Sequence, residues 1–60
     1  MKLIIGRKYI IVFEINSKFL TYTAIITDID ENYISFKDKY GKKFQYKKST
    51  FISSEEVENE

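Results

Sequence analysis

The sequence predicts an all-β domain, a small barrel of five antiparallel strands in meander order, and three observations carry that expectation. Apolar residues make up 43% of the chain and are dominated by isoleucine, phenylalanine and tyrosine, side chains that suit a pleated, half-buried surface. They alternate with polar residues at a period of two, which turns one side of each strand toward a core. Polar groups rich in Asn, Asp and Ser punctuate these runs in a chain with no proline and only two glycines, so turns rest mainly on those residue types.

The first strand runs from Lys8 to Ile15, with Tyr9, Ile11, Phe13 and Ile15 on one face and Lys8, Ile10, Val12 and Glu14 on the other. Asn16 and Ser17 follow as a tight turn into a longer second strand, "FLTYTAIITDI". A two-residue loop there sets Phe13 opposite Leu20, Ile11 opposite Tyr22 and Tyr9 opposite Ala24, so one apolar face continues across the pair. Asp30 to Asn32 form the next turn, and "YISFKD" is a third strand with Ile34 and Phe36 inward. Two-residue and three-residue loops place different partners opposite Ile34, and the register of this second hairpin stays open.

The third turn is better specified. Only a loop of Lys39, Tyr40 and Gly41 sets Ile34 and Phe36 opposite Tyr46 and Phe44; a turn centred between Tyr40 and Gly41 pairs them with Lys47 and Gln45 and mixes the faces. Three-residue loops commonly end in a left-handed residue that forms a bulge, the place Gly41 occupies. Asp38 and Lys42 then close the loop as an opposite-charge pair. "KST" at 48 to 50 makes one more tight turn before "FISS", a last strand expected to pair back on the first. One domain over residues 1–57 results, with 58–60 an acidic, frayed tail.

The layout resembles the SH3-like small barrels, the KOW and Sm-like branches among them. The segments carrying the resemblance are "GRKYII" leading the first strand, "TAIITDIDENYISF" as a long bent strand with its return, "DKYGKKFQY" as a hairpin and "KSTFIS" as turn and closing strand. "YKKSTFIS" is also similar to the end of bacterial Sm-like RNA-binding proteins, although that motif's histidine is absent. The resemblance implies an SH3-like barrel and RNA contacts at Tyr46, Lys47 and Lys48.

Charge narrows the function. The net charge is +1, but "FKDKYGKKFQYKKS" holds six lysines against one acid, while residues 49–60 hold four glutamates and no base. Such unevenness says more about partners than the total does. On the third hairpin's outer face lie Tyr33, Ser35 and Lys37 beside Lys43, Gln45 and Lys47, with Lys39, Tyr40 and Lys42 in the turn and Lys48 beyond. Lysines make salt-sensitive phosphate contacts, and Tyr33 and Tyr40 are candidates to stack on unpaired bases. The expected function is weak, largely sequence-independent binding of RNA or single-stranded DNA through Lys37, Lys39, Lys42, Lys43, Lys47, Lys48, Tyr33 and Tyr40. No arginine joins the patch, which argues against base-specific readout.

Two alternatives stand beside this one. The lysines keep an edge hairpin from pairing with neighbours and keep an isoleucine-rich chain soluble. Alternatively, Ile10, Val12, Phe19 and Ile25 form an apolar strip on the first hairpin that serves self-association or a protein partner. Bent strands that feed both faces into the core would account for that strip without a partner.

Other classes are disfavoured. With no histidine and no cysteine, the usual acid–base and covalent groups are missing, and no catalytic residue or cofactor is expected. The run Asp28, Asp30, Asn32 resembles the start of a calcium loop, but Tyr33 and Lys39 stand where glycine and glutamate are required, so no metal is expected. Gly6, Arg7 and Lys8 interrupt the N-terminal apolar run well short of the roughly 7–15 residues of a signal peptide core. The expectation is a cytoplasmic protein with no membrane partner.

Overall fold

A computed structural model describes residues 3–57. The strands are β1 (Lys8–Ile15), β2 (Lys18–Ile29), β3 (Tyr33–Asp38), β4 (Lys43–Lys47) and β5 (Phe51–Glu56), with a single 3-10 turn, Lys48–Thr50, ahead of β5. All pairings are antiparallel, in one sheet of order β4-β3-β2-β1-β5. The chain is all-β as expected, but the sheet is curled and open rather than a closed barrel. β4 and β5 are its two edges.

The first hairpin has the expected register, with Tyr9 opposite Ala24, Ile11 opposite Tyr22 and Phe13 opposite Leu20. Asn16 and Ser17 both take left-handed backbone angles, φ 53° and 64°, the geometry of the hairpin turn whose twist matches that of the strands. At the entrance to β1, Gly6 at φ +92° turns the chain so that its N–H donates to the Ile26 carbonyl at 2.8 Å.

The β2–β3 register contains both alternatives left open by the sequence. Near the turn Ile29 pairs with Ile34 and Asp28 with Ser35, whereas further along Ile26 pairs with Phe36 and Ile25 with Lys37. The extra residue is Thr27, which makes a β-bulge. A bulge changes phase by one residue and sharpens the local bend, so Ile26 and Ile29 both reach the concave side although three positions apart. A second register shift falls in the β1–β5 ladder, where Val12 pairs with Ser53 and Phe13 with Phe51.

The core fills the concave side. Tyr9, Ile11, Phe13, Ala24, Ile26, Ile34 and Phe36 are buried, with Leu3, Tyr22, Ile29, Phe44, Tyr46 and Phe51 packed around them. Phe13 is the hub of the aromatic part, its ring centroid 4.7–6.4 Å from those of Tyr22, Phe36, Tyr46 and Phe51. β2 and β4 are not neighbours in the sheet, yet the Tyr22 and Tyr46 hydroxyls share a 2.6 Å hydrogen bond across the concavity.

The closing strand is longer than "FISS". Glu55 and Glu56, beyond the segment read from the sequence as the last strand, extend β5 and pair with Ile10 and Tyr9. Arg7 holds Glu56 in a 2.8 Å salt bridge, and the Val57 N–H donates to the Lys8 carbonyl at 2.9 Å. Backbone pairing needs no apolar side chain, which is why these acids sit in a strand. The frayed tail expected at 58–60 lies outside the described residues.

Candidate functional site

The β3–β4 hairpin forms as its sequence requires. The Asp38 N–H donates to the Lys42 carbonyl at 2.9 Å, the Gly41 N–H donates to the Asp38 carbonyl at 3.0 Å, and Gly41 sits at φ +84°. The expected Asp38–Lys42 ion pair does not form. Asp38's carboxylate instead accepts from the Tyr40 and Lys42 backbone N–H groups, each at 2.9 Å, an arrangement natural to a turn-initiating Asp. The Lys42 ammonium lies 5.5 Å from the Phe44 ring centroid, and that of Lys39 lies 5.4 Å from the ring of Tyr40.

Along the hairpin, Ile34 faces Tyr46 and Phe36 faces Phe44, while Tyr33 faces Lys47, Ser35 faces Gln45 and Lys37 faces Lys43. The inward pairs join the core and the others lie on the convex face. Lys39, Lys42, Lys43 and Lys47 are exposed, and Lys37, Lys48 and Tyr33 are half-buried. Tyr40, at 82% exposed, tops the turn.

The two candidate stacking residues do not converge, since Tyr33 begins β3 and Tyr40 lies beyond its other end. Each lines its own open cleft. The larger, about 330 Å³, is bounded by Glu31, Asn32, Tyr33, Lys47, Lys48 and Ser49. The smaller, about 280 Å³, is bounded by Thr21, Tyr22, Thr23, Asp38, Lys39 and Tyr40. Tyr33, Lys47 and Lys48 thus form one group, Lys37 and Lys43 a second in mid-hairpin, and Lys39, Tyr40 and Lys42 a third at the tip.

The larger cleft is built by two turns that meet. Asp30's carboxylate accepts from the N–H groups of Asn32 at 2.8 Å and Tyr33 at 2.7 Å, which fixes the start of β3. These bonds, that of Asn32 first, hold its carboxyl below the usual range, and the charge of Lys48 adds to the effect. The Lys48 N–H donates to the Asn32 carbonyl at 2.8 Å and ties the 3-10 turn to the β2–β3 turn. Asn32, read from the sequence only as a turn residue, enters the site through that bond, and Ser49 lines the cleft beside Lys48. The polar turns "DEN" and "KST" were visible, but nothing in the sequence said that they touch.

Tyr46 does not share this cleft. The RNA contact implied for it by the Sm-like resemblance does not match its position, because it points to the concave side against Tyr22. Burial and the Tyr22 hydrogen bond push its hydroxyl pKa up to about 12.

The apolar strip lies on the convex face and is not absorbed by the core. Phe19 is 64% exposed, Ile10 39% and Ile25 37%, and Val12 is half-buried. Ile25 pairs directly with Lys37, so the strip and the lysine face adjoin. Among the described residues, no three of His, Cys, Asp and Glu converge to hold a metal ion, and no helix is long and apolar enough to cross a membrane.

Comparison with known proteins gives no match: no family model, no curated protein and no solved structure is similar to the chain.

Proposed function

We propose that the chain is a small, non-enzymatic binding module of the cytoplasm that takes up RNA or single-stranded DNA, weakly and with little regard to sequence. The proposed kinship is with the SH3-like small barrels, on the strength of the segments quoted above. The observation that carries the functional reading is the meeting of Tyr33, Lys47, Lys48 and Asn32 in one open cleft of about 330 Å³. An aromatic face, two ammonium groups and an amide suit a stacked base and its flanking phosphates. From there Lys43 and Lys37, directly opposite one another, extend the positive surface along the hairpin. Lysine point charges steer and neutralise phosphates without reading base edges, hence the low selectivity.

Fluorescence anisotropy of labelled RNA and DNA oligomers at two salt concentrations tests the reading. Tyr33→Ala is expected to cost about 1–3 kcal/mol of binding, the usual worth of one stacked base, and Lys43→Glu to weaken binding to every sequence alike. A wild-type protein that binds neither oligomer at low salt would leave the lysines a solubilising surface.

A second reading is self-association or a protein partner, favoured by the exposed Ile10, Phe19 and Ile25 with half-buried Val12, and by the open sheet edges. β4 carries Lys43 and Lys47 while β5 carries Glu55 and Glu56, so the edges are opposite in charge, a complementarity that suits pairing between copies. Sedimentation equilibrium over a hundredfold concentration range tests it. A strict monomer would remove self-association and leave only a different partner for the strip.

A further inference from the structure

The convex face holds an arrangement that no single hairpin reveals. In the ladders Lys43 stands opposite Lys37, Lys37 opposite Ile25, and Ile25 opposite Lys8. These four residues form one row across β4, β3, β2 and β1. Tyr9, Ala24, Ile26, Phe36 and Phe44, which flank the row along the strands, belong to the core and its packing shell, so alternation sends the row outward. With neighbouring strands about 4.8 Å apart, the row is about 14 Å long.

Its composition is unfavourable for folding. Like charges placed directly opposite are destabilising, and no acid stands opposite any of the three lysines. On the convex face the nearest acids in the registers are one row away on either side, Asp28 opposite Ser35 and Glu55 opposite Ile10. Arg7, the next base along the chain, is engaged by Glu56, which leaves Lys8 as the cation that β1 offers on this face. Lys8 and Lys37 are half-buried, whereas Lys43 at the edge is exposed. The stems of Lys8 and Lys37 are thus partly covered, one on either side of a partly exposed Ile25.

We infer that a bound single strand turns at the Lys43–Lys37 pair and crosses the sheet along this row, with Lys8 as a phosphate contact and Ile25 as the apolar surface beneath a sugar or base. The inference rests on the nucleic-acid reading above and extends it from one hairpin to the whole convex face. It assigns a role to Lys8, which lies outside the lysine-rich stretch. It also makes Ile25 part of the nucleic-acid surface rather than of a separate protein-binding strip.

The test is the salt dependence of oligomer binding for Lys8→Gln, Lys43→Gln and Lys18→Gln, the last an exposed lysine at the far tip of the first hairpin. Each lost phosphate contact on a single strand flattens the log–log slope by about 0.7. Lys8→Gln and Lys43→Gln are expected to flatten it equally and Lys18→Gln to leave it unchanged. Ile25→Lys, which completes the row, is expected to steepen it by a similar amount. If Lys8→Gln behaves like Lys18→Gln while Lys43→Gln flattens the slope, the row is wrong and the hairpin reading stands. If the wild type shows no salt-dependent binding at all, both fall. Circular dichroism on each variant separates lost contacts from lost fold.

Discussion

The first and the third hairpins are built on the same plan and put to opposite uses. β1–β2 sits in the middle of the sheet, where β1 has partners on both sides, and its convex face carries Ile10, Val12, Phe19 and Ile25 among threonines. β3–β4 reaches the edge, and its convex face carries lysines. The concave faces do not differ in kind, for both feed aromatics into one cluster around Phe13. A strand's place in the sheet therefore decides what its outer face tolerates. A central strand has its backbone covered and can be apolar outside, whereas an open edge is safer charged.

The largest test of this contrast lies in the core. Phe13 of the central hairpin is fully buried and Phe44 of the edge hairpin only partly. Phe13→Ala is expected to cost about 3–5 kcal/mol, comparable to the roughly 3–9 kcal/mol total of a chain this size, and so to abolish the urea unfolding transition. Phe44→Ala should cost about half as much and leave a measurable transition. Equal losses would mean that the edge hairpin is as much a part of the core as the centre.

The turns come next and should respond with opposite signs. Ser17 holds φ 64°, a conformation costly for an L side chain, so Ser17→Gly is expected to stabilise by about 1 kcal/mol. Gly41 is already the residue its φ of +84° requires, and Gly41→Ala should destabilise by about 1 kcal/mol, although nothing lies within 4 Å of the added carbon. Denaturant midpoints at constant slope would report both. A smaller effect is expected at the lysine pair: Lys37→Glu, opposite Lys43, should stabilise by a few tenths of a kcal/mol, less at high salt, while weakening oligomer binding. A stabilised variant that binds as before would separate the lysines from function.

The last differences are confined to the extremes of pH. Asp30's carboxyl is lowered in the fold by the N–H groups it accepts, so its stabilisation is complete above its unfolded pKa and is lost as pH falls through the lowered value. Asp30→Ala should remove that acid limb from a stability–pH curve. Tyr46 is shifted the other way, from 10.0 to about 12. Burial, and then the Tyr22 hydrogen bond, favour its neutral hydroxyl, so this contribution is complete below the unfolded value and is lost as pH rises from there toward the folded one, and Tyr46→Phe should flatten the curve in that window.

The same contrast explains what could be read from the chain alone. Both tight hairpins were legible because side-chain alternation and turn chemistry each demand the same register, with Asn16 and Ser17 in one case and Gly41 in the other. The β2–β3 register was not, because Thr27 lets each half of the ladder follow a different rule. Barrel closure was not legible either, since it depends on the summed curvature of the strands. The last strand was read as ending before Glu55 and Glu56 because side-chain charge says nothing about backbone pairing. For the candidate site, the lysines could be placed strand by strand. That Tyr33 and Tyr40 part to opposite ends, and that the Lys48 N–H reaches the Asn32 carbonyl, depends on tertiary contacts between turns.

The bulge at Thr27 has a consequence for chain length. Elsewhere in β2, losing one residue would turn every following side chain over and carry Ile29 out of the core. At position 27 the count works in reverse: without Thr27, Ile26, Asp28 and Ile29 alternate in step with Phe36, Ser35 and Ile34, and each keeps its face. A deletion there would preserve the pattern of the sheet and remove its bend, parting the Tyr22 and Tyr46 hydroxyls. One residue, whose own side chain is exposed, is thus a frame-shift in three dimensions, giving the strand its curvature rather than its contacts.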